Sequence, residues 1–140
     1  MLDRAEHVPS VIQPAIDAGK DVVCERYHDS TLAYQIWGRG LPLHIFDELA
    51  RLSSFPVPDI TILFDIQPER ALKRVRSRGN PDSFENEGSS FMEKIREGYL
   101  ALSKRDPERW LVIECSSESS EEIFEKMVRL VSSRRILSDK

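Results

Sequence analysis

Residues 25–35 read ERYHDSTLAYQ, and the segment closes at residues 38–40 with GRG. Directly before it, Val22-Val23-Cys24 forms an apolar run, which predicts a buried strand over Asp21–Glu25. Helical spacing follows over Ser30–Gly38. Ligands of open α/β sheets gather at the carboxyl ends of the strands, so this strand-to-helix junction is the first candidate for a binding site.

Two further apolar runs predict strands, at Ile60–Asp65 and Trp110–Glu114. Helical patterns separate the three strands, which implies an α/β domain with a parallel sheet. The strands of such a sheet are normally covered on both faces. The predicted helices are Leu2–Ala18, Ser30–Gly38, Leu43–Leu52, Pro68–Arg78, Ser89–Lys104 and Ser120–Val131.

The composition is that of one globular domain. The chain has 140 residues, 40% of them hydrophobic and 31% charged, which is enough for a single core. Its net charge of −4 disfavours binding to nucleic acid polymers, which usually takes a basic excess. The first residues are charged and no apolar run approaches the ~20 residues of a membrane span, so a cytoplasmic protein is expected. Cys24 and Cys115 each end an apolar run, which predicts two reduced, buried thiols.

The first candidate site combines charge with sheet position. Arg26 can offer a fork of donors to a phosphate, and Glu25 can hold a hydrated Mg²⁺ or orient that arginine. Asp65 ends the second strand and is expected at the same edge of the sheet. The alternative for Glu25 and Arg26 is a surface ion pair that caps a strand end. Arg96, on a later helix, has no assigned role.

Three residues of the following helix suit a nucleoside. Ser30 and Tyr34 are spaced to share one helix face, and the amide of Gln35 can both donate to and accept from a pyrimidine edge. Taken singly, each residue has a structural alternative: Ser30 as a helix N-cap, Tyr34 as a core residue and Gln35 as an exposed one.

A cluster of cations ends the helix after the second strand, at Lys73, Arg74, Arg76 and Arg78. Like charges at this spacing repel one another, which favours an anionic partner. The alternative is a basic last turn that complements the helix dipole. The polar, turn-rich segment Gly79–Gly88 follows and is predicted to be a loop.

Together, the motif at residues 25–40 and the cation cluster resemble thymidylate kinase. The resemblance implies a P-loop-kinase-like, three-layer α/β/α fold with a parallel sheet. No GxxxxGK[ST] motif occurs in the 140 residues, so the first strand, the phosphate loop and the first helices of that fold are expected to be missing. Residues 1–133 would be the C-terminal two thirds of the domain, with a lid at about residues 74–88, and residues 134–140 a flexible tail.

The resemblance also implies roles for the acceptor site. Arg26 would hold the phosphate of dTMP, and Arg4 and Gln35 would contact the base. Ser30 and Tyr34 would line the pocket on the sugar side.

On the donor side, the resemblance assigns the transferring phosphate to Arg74, Arg76 and Arg78, which with Arg26 would be the catalytic cations. Glu25 would hold Mg²⁺ through water, although the family usually has Asp at this position. Ser83 stands where the family commonly has an arginine.

The implied activity is transfer of the γ-phosphoryl group of ATP to dTMP, with Mg²⁺ as cofactor. The partners implied are dTMP and ATP, with a homodimer as a candidate assembly, and neither a nucleic acid polymer nor a membrane. Because the phosphate loop is missing, the 140-residue chain alone is expected to be inactive. The alternative is a noncatalytic nucleotide-binding or assembly module derived from a nucleoside monophosphate kinase.

Overall fold

The computed structural model describes residues 6–44, 48, 55–78 and 88–134, except for the side chains of residues 75–78. The chain divides into two compact units, Met1–Val57 and Pro58–Lys140. Within the described residues, no helix combines the length and the apolarity that crossing a membrane requires.

The first unit begins with helix α1, which has a π-helical turn at Val8–Ile12 and an α-helical turn at Gln13–Asp17. Pro14 has no N–H to donate, and Gln13 just before it donates to the carbonyl of Val8, five residues back. The predicted first helix is confirmed from residue 6 onward, and residues 2–5 lie outside the described residues.

Helix α2 follows, with an α-helical start at His28–Thr31 and a π-helical continuation at Leu32–Gly38. The predicted helix over Ser30–Gly38 is confirmed and begins two residues earlier than expected. Of the helix predicted at 43–52, Leu43, His44 and Glu48 are helical, and the rest lies outside the described residues.

The second unit is built on a parallel strand pair. Strand β1 (Thr61–Asp65) pairs with strand β2 (Trp110–Glu114) in register from Thr61 opposite Trp110 to Asp65 opposite Glu114. Helices α3 (Pro68–Arg78) and α4 (Ser89–Arg105) connect the strands, and α5 (Ser120–Ser133) follows β2. A parallel pair needs a long crossover of this kind. The predicted α/β class, its parallel pairing and these five elements are confirmed.

The core of the second unit lies between β2 and α4. Ile113 is fully buried in β2, and α4 contributes Phe91, Ile95 and Leu102. The spacing of these three residues places them on one helix face, which is the amphipathic pattern that predicted α4 from the sequence.

Helix α5 begins at Ser120 because Ser119 caps it. The Ser119 hydroxyl accepts a hydrogen bond from the Glu122 N–H at 3.2 Å, and the Glu122 carboxylate accepts one from the Ser119 N–H at 2.7 Å. The hydrogen bond that the Ser119 N–H donates to the carboxylate lowers the pKa of Glu122, because it favours the charged form. The pair forms a capping box.

The strand predicted over Asp21–Glu25 is wrong. These residues form no strand, and Val23 is 100% exposed. A strand is held by backbone hydrogen bonds to a neighbouring strand, and the sheet that the described residues form contains β1 and β2 alone. Cys24 is accordingly exposed, which corrects its predicted burial, whereas Cys115 is buried as predicted. Both cysteines are free.

The two faces of the sheet are covered only in part. Phe64 of β1 is 49% exposed and Val112 of β2 is 43% exposed. These residues lie on opposite faces, because Phe64 is in register with Ile113 whereas Val112 is in register with Leu63. Each face of the strand pair therefore exposes one large apolar side chain.

The two thiols should differ sharply in reactivity. We expect Cys24 to react with a disulfide reagent such as DTNB within seconds to minutes and Cys115 only after local opening, because burial, followed by the negative charge of Glu118, raises the pKa of Cys115 and keeps its thiol protonated. The measurement is the time course of thiol release at pH 8. Cys24→Ser should remove the fast phase and Cys115→Ser the slow one. Reaction of both thiols at the same rate would contradict the fold described for these segments.

Candidate functional site

The turn before α2 carries the first predicted site residues. Glu25 and Arg26 are exposed, and Arg26 has φ of 60°. Among the described residues it is the only non-glycine residue with positive φ. An arginine in this region of φ costs backbone energy, and such residues cluster at functional sites.

Arg26 makes a cation–π contact with Tyr34, which lies in the first turn of the π-helical segment. Its guanidinium carbon lies 4.5 Å from the centroid of the Tyr34 ring, well within the ~6 Å range of a cation–π contact. Tyr34 is half-buried in α2, whereas Arg26 is exposed. The structure therefore brings together two of the predicted site residues, one charged and one aromatic.

Ser30 and Gln35 complete the part of the predicted site that lies in α2. Ser30 is buried in the first turn, where its N–H donates to the Tyr27 carbonyl at 3.1 Å. Tyr27 occupies the N-cap position, so the alternative of Ser30 as an N-cap is wrong. Gln35 is half-buried, which disagrees with the alternative of a merely exposed residue.

One acidic residue beside this site had no role in the sequence analysis. Asp29 is buried, and its Oδ1 lies 3.4 Å from Nε2 of His28. The Tyr27 ring meets the His28 ring edge-on, with centroids 5.0 Å apart. An acidic residue in a polar stretch is normally exposed, so nothing in the sequence indicated that Asp29 would be buried.

In the second unit, Asp65 and Arg96 form a bidentate ion pair. Nε and Nη2 of Arg96 donate to Oδ1 and Oδ2 of Asp65 at 2.6 and 2.8 Å. This hydrogen bonding raises the pKa of Arg96 above its ordinary value. The Asp65 carbonyl also accepts from the Cys115 N–H at 2.7 Å, so both parts of Asp65 are held. The pair gives Arg96 the role that the sequence left open.

The cation cluster of α3 is only partly described. Lys73 and Arg74 are exposed on the helix, and Arg70, one turn earlier, donates to the Ser116 carbonyl. Arg76 and Arg78 are helical, but their side chains are not described. Arg4 and Ser83 lie outside the described residues.

No group of three or more His, Cys, Asp or Glu side chains in the described ranges is placed to bind a metal ion. Mg²⁺ does not need such a group, since it keeps several waters and is usually held by one or two carboxylates and the phosphates of the substrate. An exposed single carboxylate such as Glu25 fits that mode of binding.

A protein-family model described as thymidylate kinase matches residues 1–127. Among curated proteins, the chain is 44% identical over 127 residues to a thymidylate kinase of Desulfosudis oleivorans, covering 85% of this chain and 59% of that protein. It is 38% identical over 119 residues to one of Deinococcus radiodurans, covering 84% and 58%. The chain thus spans just under three fifths of these relatives.

A solved structure agrees with these matches. The crystal structure of thymidylate kinase from Ehrlichia chaffeensis superposes with a TM-score of 0.69 at 27% identity, covering 92% of this chain and 60% of that one. The similarity extends over both compact units, and it supports the P-loop-kinase type of fold that the sequence resemblance implied.

The Asp65–Arg96 pair should contribute measurably to stability. We expect Asp65→Asn to lower the free energy of unfolding by about 1.5 kcal/mol, the lower end of the range for hydrogen bonds to charged groups, because the Arg96 side chain is still 30% exposed. Chemical denaturation of the two proteins measures this difference.

The control is the exposed pair Glu125–Arg129, with 3.7 Å between its charged atoms and side chains about 70% exposed. Glu125→Gln should change stability by less than about 0.5 kcal/mol. A loss as large as that of Asp65→Asn would show that burial and bidentate geometry do not set the difference.

Proposed function

The chain belongs to the thymidylate kinase family, and we propose that it forms the acceptor-nucleotide part of an ATP-dependent dTMP kinase. In this reaction an oxygen of the dTMP phosphate attacks the γ-phosphorus of ATP. The bond between the γ-phosphorus and the bridging oxygen breaks, and the products are dTDP and ADP. The observation that carries the proposal is the exposed guanidinium of Arg26 over the ring of Tyr34, one helical turn after the buried Ser30.

The acceptor roles suit the chemistry of the described residues. Arg26 is a permanent cation at an exposed turn, suited to bind the phosphate of dTMP. Ser30 and Tyr34 lie about one helical turn apart in α2 and would face the sugar, and Gln35 would read the base with Arg4.

The donor roles rest on charge. Arg74 is exposed on α3 and would stabilise the charge of the transferring phosphate together with Arg76 and Arg78. Glu25 would hold Mg²⁺ through water, and the ion when bound neutralises charge on the donor phosphates. A cytoplasmic location and a homodimer belong to the same proposal.

Arg26→Ala should weaken dTMP binding more than Arg4→Ala, because Arg26 is assigned to a charged group and Arg4 to a neutral base. Hydrogen bonds to charged groups contribute about 1.5 to 3 kcal/mol and neutral ones about 0.5 to 1.5 kcal/mol. Isothermal titration of dTMP into each variant measures the losses. Lys20→Ala, which removes another exposed cation of the same unit, should have no effect; equal losses for Arg26 and Arg4 would remove the phosphate role of Arg26.

The 140-residue chain alone should show no dTMP-dependent ATP turnover. The backbone donors and the lysine of a GxxxxGK[ST] loop, which hold ATP in this class, are not among these residues. A coupled assay of ADP release with dTMP and Mg-ATP measures turnover, with a complete thymidylate kinase as the positive control. A normal kinase rate would contradict this expectation. Binding of dTMP without turnover would also fit the second candidate function, a noncatalytic nucleotide-binding module.

A further inference from the structure

The contact between Arg26 and Tyr34 joins an exposed side chain to a half-buried one. Tyr34 lies in α2 directly after the buried residues Leu32 and Ala33, and its own side chain is half-buried. Arg26 lies in the exposed turn before the helix, on a backbone with φ of 60°. The ring is therefore the more buried member of the pair, and it can help to position the exposed guanidinium.

The contact between Arg26 and Tyr34 leaves the guanidinium suited to an anion. The face of an aromatic ring attracts a cation through its quadrupole and offers no conventional hydrogen-bond acceptor. The N–H donors of an arginine lie in the guanidinium plane, where they can donate two parallel hydrogen bonds to a phosphate. With the guanidinium carbon 4.5 Å from the ring centroid, Tyr34 can restrict the orientation of Arg26 without competing for these donors.

We propose that Tyr34 is a positioning residue for the phosphate of the acceptor nucleotide and acts through Arg26. This role comes in addition to contact with the sugar, and it rests on the proposed function. An unsupported arginine at an exposed turn samples many rotamers, and it must be ordered when the ligand binds. A ring that holds the guanidinium beforehand lowers this entropic cost of binding.

The two roles of Tyr34 make different predictions. Contact with the sugar affects every thymidine ligand, whether or not the ligand carries a phosphate. Holding Arg26 affects only ligands with a phosphate. Comparing dTMP with thymidine therefore separates the positioning role from a sugar contact, and also from general damage to the helix.

The test is isothermal titration of dTMP and of thymidine into the 140-residue chain and its variants. Tyr34→Leu should weaken dTMP binding by about 2- to 5-fold more than thymidine binding, the range expected of an exposed cation–π contact. Tyr34→Phe keeps the ring face and should retain the wild-type ratio of the two affinities. In Arg26→Ala the guanidinium is gone, so adding Tyr34→Leu should change the ratio little further.

Three outcomes would count against the inference. Equal weakening of dTMP and thymidine by Tyr34→Leu would overturn it and leave a sugar contact only, while the proposed function would stand. A ratio in Tyr34→Phe as low as in Tyr34→Leu would overturn it as well. If the wild-type chain binds neither ligand, the proposed function fails and this inference with it. Circular dichroism checks folding, and Tyr34→Met, an unbranched helix former, replaces Tyr34→Leu if that variant unfolds.

Discussion

Parallel pairing of β1 with β2 is the constraint on which the second unit depends. The two strands run in the same direction, so the chain must return to the end of the sheet where β1 begins before β2 can start. Helices α3 and α4 make that return. The register then sets Asp65 opposite Glu114 and next to the amide of Cys115. The Asp65 carboxylate pairs with Arg96 of α4, which ties the end of β1 to the middle of that helix.

The two units hold their arginines in different ways. In the first, Arg26 has a left-handed backbone, and its guanidinium carbon lies over the ring of Tyr34. In the second, Arg70 donates to a backbone carbonyl and Arg96 to a carboxylate. Phosphoryl transfer depends on positioning and on charge stabilisation, so arginines held in place matter more than their number.

The elements that the sequence predicted well are those whose cause is local. Pro68 suits a first helical turn, and the spacing of Phe91, Ile95 and Leu102 defines one face of α4. The apolar runs of β1 and β2 also predicted strands correctly, because each of these strands has the other as its partner. Asp21–Glu25 has equally apolar letters but forms no strand, because a strand depends on a partner elsewhere in the chain.

The candidate site was predictable in composition but not in geometry. The sequence of residues 25–35 identified Arg26, Ser30, Tyr34 and Gln35. Neither the positive φ of Arg26 nor its contact with Tyr34 follows from that sequence.

The exposed thiol of Cys24 offers a place to attach a probe beside this site. A single accessible thiol two positions before Arg26, in a chain whose other thiol is buried, allows a fluorophore or spin label to be attached beside the turn without altering the sequence. A label at Cys24 would therefore report the proposed nucleotide binding as a change in emission or line shape.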